Sequence, residues 1–104
     1  MIALDSYPIQ RSDILSKRLG EEMIFVLADK HQAKVVNESG AFIWSMLDGS
    51  HRVDEIAQKI TAEYEGDYEQ IIIDLVDFLE QMLAKEIIMI SDRPLTLANL
   101  SGSA

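Results

Sequence analysis

At 104 residues, with 48% hydrophobic and 26% charged residues, the chain has the length of one domain and the apolar content to bury its own core. It contains no cysteine, which excludes disulfides and thiolate metal sites and fits a reducing compartment. The formal net charge is −9, and the stretch 54–86 alone sets ten acids against Lys59 and Lys85. Such a balance argues against nucleic acid, whose phosphates call for Lys and Arg, and for a basic or neutral protein partner or simply a solvated face. The opening MIALDSYP has no basic region followed by an apolar run, and no stretch approaches the roughly 18–20 apolar residues of a membrane helix, so the expected setting is cytoplasmic.

The first elements read as strands. DILSKRLG (13–20) mixes apolar and polar residues up to Gly20, MIFVLA (23–28) is a short apolar run, DKHQ (29–32) is a polar turn, and AKVV (33–36) is a third strand. Their short connectors predict a three-stranded antiparallel meander. Helices follow. Asn37 can cap the first, because its side chain accepts from exposed first-turn amides; Phe42, Ile43, Met46 and Leu47 recur at helical spacing, and Asp48-Gly49 ends it. Val53, Ile56, Ala57, Ile60 and Tyr64 mark a second helix, with Asp54 and Glu55 in the first turn where the dipole favours anions, and Gly66 breaks it. A third helix runs from Asp67 to Lys85, with Tyr68, Ile71, Ile72, Leu75, Leu79, Met82 and Leu83 on one stripe. IIMIS (87–91) is a short closing strand. The reading is an α+β domain over residues 1–91: strands across 13–36, then helices across 38–85 and the closing strand, forming a winged helix-turn-helix-like unit. Residues 92–104, with Pro94 and small polar residues, read as a loose tail. Its Leu95, Leu97 and Leu100 offer the alternative of docking on a groove or a neighbouring chain.

Nothing in the pattern points to catalysis. His31 and His51 fall in separate predicted turns with no spacing that places both on one metal. Glu63, Glu65, Asp67 and Glu69 surround Gly66 but lack the alternating acids and distant Glu of a calcium loop. The glycines are scattered, so no phosphate loop exists, and no Ser-His-Asp arrangement can be argued from spacing. The expectation is a non-enzyme without cofactor or metal. What stands out is interaction surface. With Tyr68 at zero and about 100° per residue, the core stripe of the third helix spans roughly 300° to 60°. Ile73 then falls near 140° and Phe78 near 280°, both off the stripe. The strand Ala33–Val36 is an open edge, whose unpaired N–H and C=O groups an extended peptide can complete. Lys34 there either pairs with an acidic peptide residue or guards the edge against aggregation.

Asn37 with Gly40, LDG at 47–49, VDEIA at 53–57 and DLVDFLEQMLAKEII ending at 88 together resemble the PqqD family, the pyrroloquinoline quinone biosynthesis protein D-like domains. The resemblance covers about residues 10–91. Arg52 departs from the family pattern, which has Thr or Ser as the cap of the second helix, and should weaken that cap by ~1 kcal/mol. The resemblance implies a RiPP recognition element, in which three strands precede three helices. Such domains bind the leader of a ribosomally made precursor peptide as an extra strand on the third strand. The leader lies in the cleft between that strand and the third helix, and is presented to a modifying enzyme, often a radical SAM protein. Carried over by position, the strand residues are Ala33, Lys34, Val35 and Val36; the helical wheel adds Ile73, Asp74, Asp77, Phe78 and Gln81. The implied partners are a precursor peptide and its enzyme, without nucleic acid or membrane, and a homodimer is compatible with them. The main alternative is an interaction or regulatory domain of the same fold without leader binding. DNA binding is disfavoured by the acidic third helix, and an acyl carrier role by the lack of an Asp-Ser-Leu attachment site.

Overall fold

The computed structural model describes residues 2–11, 14–27 and 32–94. His31, most of the expected turn at 29–32, and Leu95, Leu97 and Leu100 lie outside the described residues. The described elements are β1 (Tyr7–Gln10), β2 (Leu15–Leu19), β3 (Glu22–Leu27), β4 (Gln32–Val36), α1 (Glu38–Trp44), α2 (Val53–Tyr64), α3 (Tyr68–Ala84) and β5 (Ile88–Ser91). The described residues form a mixed α/β fold with three helices and two antiparallel sheets, one of order β2-β3-β4 and one pairing β1 with β5. The expected meander is present, with Gly20 at φ +64 in the two-residue connection from β2 to β3. Gln32, expected in the turn, is already the first residue of β4.

Cross-strand pairs share a face, so the register decides which residues meet the helices. Lys34 pairs with Phe25 and Val36 with Met23, and Phe25, Leu27 and Val36 on this face are buried. Phe25 packs its ring on Trp44 of α1 with centroids 4.4 Å apart. Behind the sheet, α2 and α3 close the core around Leu47, Val53, Ile56, Ala57, Leu79, Met82 and Ile87, none of which keeps measurable exposure. No helix among the described residues is long and apolar enough to cross a membrane.

Helix ends differ from the expected ones. α1 stops at Trp44 rather than at Asp48. Met46 N–H donates to Ile43 O at 2.9 Å and Leu47 N–H to Trp44 O at 3.1 Å, the tighter three-residue bonds of a helix winding down before Gly49 at φ +83. α2 ends on Glu65 at φ +50, one residue before the glycine expected to break it. After α3, Glu86 takes φ +62 and Ile87 N–H reaches Met82 O at 2.9 Å, the six-residue closure of a left-handed cap, which then launches β5.

The segment 2–10 carries no expected element, yet it ties the molecule together. β1 pairs with β5 from Tyr7 opposite Ser91 to Gln10 opposite Ile88. Gln10 N–H donates to Leu47 O at 2.8 Å, and Gly49 N–H to Pro8 O at 3.2 Å. Val53 N–H donates to Ser6 O and Asp54 N–H to Leu4 O, both at 3.0 Å. The last two bonds correct the expectation of a weak cap on α2. The guanidinium of Arg52 is all donor and cannot cap. Glu55 Oε1 instead accepts from Arg52 N–H at 2.8 Å, and the carbonyls of Leu4 and Ser6 satisfy the next two amides.

Candidate functional site

In its sheet β4 has β3 on one side and no described strand on the other. Among the described residues its outer row of N–H and C=O groups therefore has no strand partner. Along it the side chains alternate. Lys34 and Val36 lie on the helix side with Phe25 and Met23, whereas Ala33 and Val35 lie on the outer side with Val26 and Ile24. Val36 is 6% exposed and Val35 is 56% exposed, in line with that division.

The turn from β4 into α1 is tight. Asn37 Oδ1 accepts from Gly40 N–H at 3.0 Å and from Ser39 Oγ at 2.9 Å, confirming the expected cap. A Cβ on Gly40 would sit 2.8 Å from Val36 Cβ, so α1 starts flush against the end of the strand. Directly beside this junction lies a cleft of about 320 Å³, lined by Asn37, Ser39, Gly40 and Ile43 of the α1 side, Ile60 of α2, and Ile71, Asp74, Leu75 and Phe78 of α3. Its walls are largely aliphatic and aromatic. Asp74 stands at the rim, where Gln70 Nε2 donates to its Oδ1 at 2.9 Å. Asn37 and Ser39 also border a neighbouring hollow formed with Glu21, Glu22, Glu38 and Tyr64. There Phe42 and Tyr64 meet edge to face, and the Tyr64 hydroxyl is pushed above its usual pKa by burial and by the carboxylates of Glu38, Glu63 and Glu21. An open backbone edge, an apolar cleft and an acidic shoulder thus adjoin one another.

The residues singled out in the sequence do not all converge here. Ala33, Lys34, Val35 and Val36 form the edge strand, and Asp74 and Phe78 line the cleft. Ile73 and Asp77 lie on the opposite flank of α3, in a second groove with Ile2, Leu4, Ile72, Val76 and Glu80. Gln81 is exposed, its Nε2 donating to Asp77 Oδ2 at 2.8 Å. A helical wheel shows which residues leave the core stripe; it does not show which flank faces the strand. The cleft residues missed were Asn37, Ser39, Gly40, Ile43, Ile60, Ile71 and Leu75. Ile71 and Leu75 read as core because they belong to the stripe and also edge the cleft; Asn37 read as a helix cap and, with Gly40, as part of the family pattern, but neither as cleft lining. His51, expected in a turn, is half-buried there, with Nδ1 3.1 Å from Asp48 Oδ1.

Fold and site define a small mixed α/β domain built around an open strand edge and an adjoining cleft. The chain belongs to the PqqD family: residues 24–88 match the family described as coenzyme PQQ synthesis protein D. The match runs from Ile24, inside β3, to Ile88 at the start of β5 and leaves β1 and β2 outside. Among solved structures, "TbiB1 in Complex with the TbiA(beta) Leader Peptide" is similar, with a TM-score of 0.70 and 28% identity, covering 77% of this chain and 93% of that one. No curated protein matches the chain.

Proposed function

We propose that this protein binds the leader of a ribosomally made precursor peptide as a strand added to β4 and presents the peptide to a modifying enzyme, of radical SAM type in the family's usual pattern. The observation that carries this reading is the unpaired edge of β4 lying beside an apolar cleft. Family membership and the likeness to a protein solved with a leader peptide support it. Backbone groups of Ala33, Lys34, Val35 and Val36 would pair with the peptide, and a bulky apolar side chain would enter between Gly40, Ile43, Leu75 and Phe78. Ile73, Asp77 and Gln81 fall outside this contact. The contribution to the reaction is positional: holding the leader raises the effective concentration of the peptide's core at the enzyme, while the chemistry belongs to the enzyme. In this reading residues 1–91 act as one unit, its helices arranged in winged helix-turn-helix fashion behind the meander.

The test is a heteronuclear NMR titration of labelled protein with synthetic leaders from precursor genes neighbouring its own. Shifts are expected at residues 33–36 and at Ile71, Asp74 and Phe78. Val35→Pro and Val36→Pro form a matched pair, because successive strand N–H groups point to opposite sides. The proline that removes the outward donor should abolish binding. Binding unaffected by either proline, or a folded sample silent to every leader, overturns strand addition and leaves an interaction domain that does not bind leaders.

A further inference from the structure

We infer that, given strand addition at this edge, Lys34 selects the peptide: it requires a carboxylate two residues from the apolar side chain that fills the cleft. β4 reverses the usual division of a sheet with one wetted face. Its outer side carries Ala33 and Val35, the latter 56% exposed, whereas Lys34 is half-buried on the helix side, opposite the fully buried Phe25. A lysine serving only solubility would stand where Val35 does. The row that crosses the sheet here is Ser16, Phe25 and Lys34, with no acid in it. Among the described residues no carboxylate forms an ion pair with the Lys34 ammonium.

A strand laid against β4 changes the surroundings of that ammonium. The residue it places opposite Lys34 points to the same face and covers it. An apolar residue there takes water from the charge and returns no partner, whereas a carboxylate supplies a charge-assisted hydrogen bond. The edge thus refuses uncharged strands and admits a matching one, so guarding against aggregation and choosing a leader are one property. Register fixes the spacing. Val36 is the next residue of β4 on this face, and Gly40 in the wall of the cleft stands flush against it. A leader side chain opposite Val36 is the one placed to enter the cleft, so the acid lies two positions from that anchor. Charge also fixes the direction. Past Asn37 and Ser39 the hollow is bordered by Glu21, Glu22 and Glu38, which repel a carboxylate, so the acid belongs on the Lys34 side of the anchor.

The experiment takes the synthetic leader that binds in the titration above and the same leader with that acid changed, Asp to Asn or Glu to Gln. Both are titrated into the wild type and into Lys34→Gln. Removing either partner should weaken binding about tenfold, and removing both no further, since the second change has no pair left to break. Lys34→Gln keeps most of the aliphatic stem, so its unfolding midpoint should match the wild type. Lys34→Glu should lose the natural leader and recover binding to one that carries Lys at the acid's position. A leader that binds without an acid two residues from its anchor overturns the inference and leaves strand addition standing. Losses that multiply, or Lys34→Gln binding as the wild type does, have the same consequence. Leaders that all fail to bind a folded sample overturn the inference together with strand addition itself.

Discussion

Asp48 concentrates more interactions than any other side chain in the turn between α1 and α2. Its Oδ1 accepts from Ser50 N–H at 2.9 Å and from Ser50 Oγ at 2.6 Å, and lies 3.1 Å from His51 Nδ1. Partial burial pushes the carboxyl up, but the hydrogen bonds from Ser50, together with His51, outweigh it, and its pKa is held below the ordinary value. A carboxylate depressed in the folded state contributes stability that is present above its unfolded pKa of about 3.9 and is lost as pH falls through the lower folded value. With the side chain 55% exposed, solvent screening keeps the contribution small. Asp48→Asn keeps an oxygen acceptor for Ser50 and removes the titration. Urea midpoints at pH 6 and pH 3 should therefore fall further for the wild type than for the variant. An equal fall in both would show that the charge of Asp48 adds nothing beyond its hydrogen bonds.

At the scale of elements, the junction between β4 and α1 decides where the cleft opens. Alanine normally favours a helix over glycine by about 1 kcal/mol. At Gly40 the added Cβ would stand 2.8 Å from Val36 Cβ and 3.2 Å from its Cγ2, so strand and helix must separate. Overpacking of that kind costs about 1–3 kcal/mol and should outweigh the propensity gain. Gly40→Ala is expected to lower the unfolding free energy and speed amide exchange in residues 33–36; stabilisation by the variant would mean the junction has slack. This junction also shows what local sequence could and could not convey. Asn37 announced the helix start because capping chemistry is local. The run Met23–Leu27 and the stripes of α2 and α3 were legible because periodicity reports a buried face. The flank of α3 that lines the cleft was not, because Phe78 and Ile73 leave the stripe on opposite sides and only tertiary placement distinguishes them.

For the molecule as a whole, the illegible part is the segment that joins its two ends. Four residues, Tyr7–Gln10, with a proline among them, carry too little pattern to announce a strand, and their partner β5 is remote in sequence. The family match begins at residue 24, so β1 could have been an appendage to the matched unit. Its bonding argues otherwise. Ile9 is 2% exposed, Ser6 and Leu4 satisfy the first amides of α2, and Gln10 Nε2 donates to Trp44 O at 2.9 Å. Trp44, the single tryptophan, packs on Phe25 in the main core and reports on that core by fluorescence. Ile9→Ala should cost about 2–4 kcal/mol through lost burial and an incompletely collapsed cavity. If β1 belongs to the same cooperative unit, the tryptophan transition in urea shifts by that full amount and coincides with the transition seen by circular dichroism. If β1 frays by itself, the tryptophan transition stays in place, because opening a separate unit leaves the environment of Trp44 intact. The bonds from Leu4, Ser6, Pro8 and Gln10 to three different elements make the first result the expected one: β1 cannot leave without uncapping α2 and stripping the partner strand from β5.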